Sequence, residues 1–200
     1  MTAITETPYG KYERLFLTLK EIITKSYGRV VQSEPDSLFE QNVNFFTKAY
    51  LINLCTYLEA FLQDIAAHYL LLTKQRIRDA KVPTNLILWA VSAKGQGDLK
   101  EKSLKFNDFD LNEIDEKTIN SELSGNPWKT ITLFKKLGVD ISRNSEFGRH
   151  KDLIETIVRK RNNIVHHNDQ AIDVSMFDII GHIDSFLAYM KAIESAVYNC

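Results

Sequence analysis

The segment YLINLCTYLEAFLQDIAAHY, residues 50–69, decides the fold class, because its apolar residues recur with the period of an α-helix. The same pattern runs from the SLFE segment at 37–40 through Phe46 to about Ala80, which predicts either one unusually long helix or two helices with a break near Thr47. Five polar or charged residues interrupt the apolar run: Asn53, Glu59, Gln63, Asp64 and His68. A membrane-spanning helix is therefore not expected.

The other periodic segments of the N-terminal half also repeat with helical spacing. A first helix is predicted from Pro8 to a stop at Gly28. The segment SLFE at 37–40 has the pattern of a capping box, in which a serine and a glutamate satisfy free backbone N–H groups at the start of a helix. Pro83 and Thr84 are predicted to open a short apolar helix, NLILWAV.

The C-terminal half predicts three more helices. Asn126 and Pro127 fit the N-cap and first residue of a helix that stops at Gly138. A second helix is predicted over about 145–165, and a third begins near Ser175 with the capping-box pattern SMFD. No segment of useful length alternates with period two, so the sequence predicts an all-α antiparallel helical bundle without significant β-sheet.

Length and composition predict a single domain over residues 1–200. Residues 94–126 are polar and acidic with glycines, and we interpret them as a surface excursion with one short helix. The net charge of −1 means that any polyanion site must be local. Two cysteines and a first segment, MTAITETPYGK, without the pattern of a secretory signal favour a cytoplasmic protein.

The segment RKRNNIVHHND, residues 159–169, contains the side chains best suited to binding or catalysis. On a helical wheel, Arg161 falls inside an apolar face. That face is formed by Leu153, Ile154, Ile157, Val158, Ile164 and Val165. An arginine there needs a partner or access to water, and three partners fit: a carboxylate of this chain, the cleft of a dimer, or a bound phosphate.

The histidines of this segment add proton-transfer chemistry, because an imidazole exchanges protons near neutral pH. An arginine and two histidines suffice to cleave RNA without a metal, by activating the 2′-hydroxyl and protonating the leaving oxygen. A structural interpretation is also open, since cations and asparagines are common at the C-terminal end of a helix. The sequence has no GxxxxGK[ST], GxGxxG, HExxH or GxSxG motif, and we expect no metal and no cofactor.

The chain resembles the HEPN superfamily, and in particular the RiboL-PSP-HEPN group. The segment RNNIVH, with Arg161, Asn162 and His166, matches the signature in which four to six residues separate an arginine from a histidine. Glu59 in YLEAFLQDI matches an acidic position in an earlier helix, and SGNPWKTITLFKKLGVDI matches a tryptophan-bearing helix. The resemblance covers roughly residues 40–190, and only its late motif is specific.

The resemblance implies a homodimer in which two signature segments face each other and share an active site. His166 is then the general acid or base, with its twin in the other subunit performing the complementary step. Arg161 stabilises charge on the phosphate, and Asn162 orients the backbone or binds phosphate. His167 is a second RNA contact or a mere neighbour, and Glu59 holds Arg161 when RNA is absent.

The implied function is a metal-independent endoribonuclease that acts in phage defence or toxin–antitoxin conflict, with an operon-encoded antitoxin or defence protein as a possible partner. Some HEPN toxins carry a tyrosine two residues after the histidine, as a target for adenylylation, but this chain has Asn168. Silencing by that route is not expected. The alternative is a helical RNA-binding or protein-interaction module without catalysis, which burial of Arg161 against Glu59 inside one subunit would favour.

Overall fold

The structure is a computed structural model that describes residues 7–93, 101–167 and 173–199. Within those ranges the chain forms α-helices and no β-strand, which confirms the all-α prediction. The helices are α1 (Pro8–Val31), α2 (Ser37–Gln41), α3 (Val43–Ala80), α4 (Thr84–Val91), α5 (Glu116–Glu122), α6 (Pro127–Lys136), α7 (Ser145–His167) and α8 (Met176–Tyr198).

The four long helices α1, α3, α7 and α8 enclose the core, and α3 and α8 each pack against the other three. Their apolar faces meet through large side chains that are fully buried, such as Phe16 of α1, Phe61 of α3 and Phe186 of α8. The ring centroids of Phe16 and Phe186 are 5.9 Å apart. Burial of these faces supplies most of the stability of a helical bundle, so the apolar periodicity determines which side of α7 turns inward.

Side-chain caps hold the ends of the helices around α7. The side chain of Asn126 accepts hydrogen bonds from the backbone N–H groups of Trp128 and Lys129 at the start of α6. Ser175 and Asp178 form a reciprocal capping box at the start of α8. Gly138 follows the end of α6 with a φ of +88°, a conformation that glycine adopts without steric cost. The predicted boundaries at these three positions are confirmed.

Two predicted boundaries near the N-terminus are wrong. Helix α1 continues through Gly28 to Val31, because an interior glycine costs only about 1 kcal/mol and the packing of α1 on α3 and α8 outweighs that cost. Asp36 caps α2 in place of Ser37, since its side chain accepts from the N–H of Leu38. For the next helix the sequence allows two alternatives, and the structure confirms the single unusually long helix: α3 has 38 residues, begins after Asn42 and has no break near Thr47.

The predicted surface excursion has a short helix, α5, near its end. Its first residues, 94–100, lie outside the described residues. Its middle is tied to the start of α4 by two backbone hydrogen bonds, from Thr84 to Asn107 at 3.0 Å and from Phe109 to Val82 at 2.7 Å. Of the helices in the described ranges, none has both the length and the apolar character needed to cross a membrane.

Candidate active site

The C-terminal end of α7 carries the four candidate residues of the late motif. The helix begins after Asn144, whose side-chain oxygen accepts from the backbone N–H groups of Glu146 at 3.0 Å and Phe147 at 3.3 Å. It continues to His167, two residues beyond the predicted end at Val165. Histidines suit the last turn, because positive charge there meets the negative end of the helix dipole. All four candidates therefore lie on one helix, which fixes their relative directions.

Arg161 lies on the inward side of α7 and forms an ion pair with Glu59 of α3. Its Nη2 contacts Oε1 of Glu59, and the backbone N–H of Gly125 donates to the same oxygen at 3.1 Å. The exposed fraction is 16% for the side chain of Arg161 and 29% for that of Glu59. One carboxylate therefore links α3, α7 and the turn before α6, and the pair is largely, though not completely, covered within one subunit.

The guanidinium of Arg161 has more donor capacity than this pair uses. Its Nε is buried and has no hydrogen-bond acceptor among the described residues. The thiol of Cys55 is no counter-charge, because burial raises its pKa to about 12 and the nearby Arg161 only partly opposes the rise. A buried donor without an acceptor costs free energy. An oxygen-rich anion next to Arg161 would relieve that cost.

His166 and His167 are both exposed at the end of α7. Their ring centroids are 6.5 Å apart. Neither imidazole has a hydrogen-bond partner among the residues that the structure describes, so both rings can meet a ligand from solvent. An imidazole has one nitrogen that accepts a proton and one that donates a proton, and acid–base catalysis uses both functions.

Arg161 and His166 point to different sides of α7. Five residues correspond to about 500° of rotation, a net angle of about 140°, and to a rise of about 7.5 Å. Asn162 is four residues before His166 and exposed, so these two side chains lie on the same side, one turn apart. The fold of one subunit therefore places Asn162 beside His166 but does not bring Arg161 and His166 to one face.

The apolar face of α7 is covered along most of its length and uncovered at its last turn. Ile154, Ile157, Val158 and Ile164 are buried, as the helical wheel predicts. Val165, four residues after Arg161 and on the same side of the helix, is 51% exposed. The edge of the Arg161 site thus has an apolar side chain in contact with solvent.

Two residues at the site were not identified from the sequence. Gly125 approaches the ion pair so closely that a Cβ there would lie 3.2 Å from Val158 and 3.3 Å from Cγ of Glu59. In the sequence, the only signal for the role of Gly125 is its position directly before Asn126, the N-cap of α6. Arg159 is exposed and lies seven residues before His166, a spacing that places both on the same side of α7.

Two further predictions concern metal binding and residue Asn168. In the described ranges, no group of three or more histidine, cysteine, aspartate and glutamate side chains is arranged to hold a metal ion. Asn168, which occupies the position of the tyrosine in some related toxins, lies outside the described residues. The roles predicted for Arg161, Asn162, His166, His167 and Glu59 stay predictions.

Comparison with known proteins identifies a family for this chain. The model of the RiboL-PSP-HEPN family matches residues 13–199, a range that includes the helices α1 to α8 of the described residues except the first turn of α1. No curated protein and no solved structure matches the chain. The match agrees with the resemblance in the late motif and extends it over almost the whole chain.

Proposed function

Since the chain belongs to the RiboL-PSP-HEPN family, we propose that it is a metal-independent endoribonuclease. Two copies associate through the C-terminal ends of their α7 helices and share the catalytic residues between them. A role in phage defence or toxin–antitoxin conflict is part of the same proposal. The protein is proposed to act on RNA in the cytoplasm.

The observation that carries this proposal is the position of Arg161. A guanidinium with an unsatisfied buried Nε lies on an apolar helix face that ends in the exposed Val165. A second copy against this end of α7 would cover Val165 and place another imidazole near the arginine. Because His166 of the same chain lies about 140° away around the helix, the second subunit is the source of the imidazole that the site otherwise lacks.

The proposed reaction needs two proton transfers and one centre of positive charge. One His166 removes the proton from a ribose 2′-hydroxyl, and the 2′-oxygen attacks the adjacent phosphorus. The bond from phosphorus to the 5′-oxygen breaks, and the His166 of the other subunit protonates that oxygen. Arg161 stabilises the negative charge on the phosphate oxygens during the transfer. The products are a 2′,3′-cyclic phosphate and a free 5′-hydroxyl.

Asn162 and Glu59 are proposed to support this chemistry. Asn162, one turn before His166 on the same exposed side, donates to a phosphate oxygen of the bound strand. Glu59 holds Arg161 in the subunit without RNA and gives up part of this contact when a phosphate arrives. His167 is assigned as a neighbour of His166 without a separate step in the reaction.

The purified protein is expected to cleave single-stranded RNA in the presence of EDTA. Mass spectrometry of the fragments should find 2′,3′-cyclic phosphate ends, because the reaction uses the 2′-hydroxyl and no metal-bound water. A preparation of His166→Ala, purified in parallel, controls for a contaminating ribonuclease. Absence of cleavage by the wild type, or equal cleavage by both preparations, would contradict the proposal.

One observation favours a second function, that of an RNA-binding or protein-interaction module without catalysis. The contacts of Glu59 with Arg161 and with the N–H of Gly125 lie within a single subunit, as a structural ion pair would. Overexpression separates the two functions. Growth arrest that His166→Ala relieves supports the nuclease, whereas harmless expression together with a tightly bound partner protein supports the module.

A further inference from the structure

We propose that a pocket between α7 and α8 binds one nucleotide unit of the RNA strand beside the site of cleavage. This inference rests on the proposed ribonuclease function and names a subsite for its substrate. The pocket, called here the α7–α8 pocket, has a volume of about 450 Å³. Pockets that hold small organic ligands have volumes of about 300–1,000 Å³. One base with its sugar fits that range.

The floor of the α7–α8 pocket is apolar. Its side chains are Leu51 of α3, Leu153 and Ile157 of α7, and Val174 just before α8. Leu51 and Ile157 are buried, and Leu153 and Val174 are half-buried. An unstacked base has two flat apolar faces, and proteins that take a base out of its stack hold such faces between aromatic or apolar side chains. The floor therefore suits the face of a base that has left the stack.

Polar groups on the rim of the pocket match the edge of a base. Asn163 of α7 offers an amide donor and an amide acceptor, the pair that reads the hydrogen-bonding edge of a base. His182 of α8 lies across the pocket and is half-buried. Burial lowers the pKa of His182 below its usual value, against a smaller opposite effect of Asp178. A neutral imidazole also offers one donor and one acceptor.

The charge at the pocket is positioned for a phosphate. Lys160 is engaged by Asp173, with 2.5 Å between its Nζ and the carboxylate oxygen, so this pair adds little net charge. Arg159 is exposed at the rim and has no ion-pair partner among the described residues. Its guanidinium is therefore the group that can take a phosphate at the pocket.

The pocket and His166 are connected along one side of α7. Arg159 lies at the pocket and seven residues before His166, which gives nearly the same direction around the helix and a separation of about 10.5 Å along it. Asn162 lies on the same side between them. A single strand with a base in the pocket can therefore follow Arg159 and Asn162 to the imidazole that acts on its phosphate.

The test measures binding in the His166→Ala background, so that RNA stays intact and the result does not depend on cleavage. The probes are short fluorescein-labelled oligonucleotides of adenosine, cytidine or uridine, followed by fluorescence anisotropy. Asn163→Ala is expected to weaken binding of the best-bound oligonucleotide about 10-fold. It should also reduce the differences in affinity among the three bases, since it removes a contact with the edge of the base. Arg159→Ala should weaken the binding of all three oligonucleotides about equally and reduce the salt dependence of binding.

Arg149→Ala is the matched control, because Arg149 is an exposed arginine of α7 that pairs with Glu146 at 3.0 Å and lies outside the pocket. This control should bind like the background protein. Equal affinities and equal base preferences in Asn163→Ala and in the control would overturn the pocket proposal, whether or not the wild type cleaves RNA. Circular dichroism and thermal unfolding check that each variant folds.

A competition arm distinguishes a nucleotide within RNA from a free nucleotide. Unlabelled AMP, CMP and UMP are added to the complex with each oligonucleotide. Weak competition that needs far more mononucleotide than oligonucleotide, and that Asn163→Ala abolishes, supports a subsite for the strand. Tight mononucleotide binding that Asn163→Ala abolishes, with oligonucleotide binding unchanged, would overturn the proposal in favour of a separate small-molecule site.

Discussion

Replacing His166 with alanine is expected to lower the rate of RNA cleavage by about a thousandfold or more. One acid–base group contributes about 10²–10⁴-fold to a rate, and in the proposed homodimer the substitution removes both the acid and the base. The fold should be unaffected, because His166 is exposed at the end of α7 and contacts no described residue through a hydrogen bond. Single-turnover cleavage of a labelled RNA measures the effect.

The matched control for this experiment is His68→Ala. His68 lies on α3, outside the late motif, and its Nδ1 shares a hydrogen bond of 2.6 Å with the hydroxyl of Tyr198. The control should cleave at the rate of the wild type. Both variants should retain the circular dichroism of a helical protein. Comparable cleavage by His166→Ala and His68→Ala would contradict the role assigned to His166.

Replacing Glu59 with glutamine is expected to lower the free energy of unfolding by about 2 kcal/mol. The change leaves the guanidinium of Arg161 largely buried without its counter-charge. Breaking a fully buried pair costs about 3–5 kcal/mol, and the exposed fractions of 16% and 29% reduce this cost. Urea unfolding measures the difference. The double variant Glu59→Leu with Arg161→Met should recover much of the loss, because no charge is then left unpaired.

The same variant separates the two candidate functions. If Glu59 competes with phosphate for Arg161, Glu59→Gln should bind RNA several times more tightly in the His166→Ala background, although it is less stable. If the ion pair is only structural, RNA affinity should not change. Lower stability together with unchanged affinity would therefore argue against a phosphate role for Arg161.

The helical class and several helix ends follow directly from residue chemistry. The caps at Asn126 and Ser175 and the glycine at 138 act through local hydrogen bonds and local backbone freedom, so the sequence shows them. The end of α1 does not follow from local rules. Gly28 is a poor helix residue, but packing of α1 onto two other helices carries the helix past it, and such packing depends on residues far away in the chain.

The same distinction between local effects and long-range packing applies to the candidate site. The placement of Arg161 on the inward side of α7 follows from helical periodicity alone. The contact of Gly125 with Glu59 and the pocket on the other side of α7 do not, because they join segments that are distant in sequence. The pocket brings Leu51 of α3 and His182 of α8 to the same place as Asn163. No spacing rule within one helix predicts that arrangement.

In the proposed enzyme, each active site uses residues of two subunits. A mixed dimer with one wild-type subunit and one His166→Ala subunit, isolated with two different affinity tags, tests this sharing through its cleavage rate. If one imidazole is the base and its twin is the acid, the mixed dimer should be nearly as inactive as the dimer with both histidines replaced. A mixed dimer with half the wild-type rate would show independent sites and contradict the account.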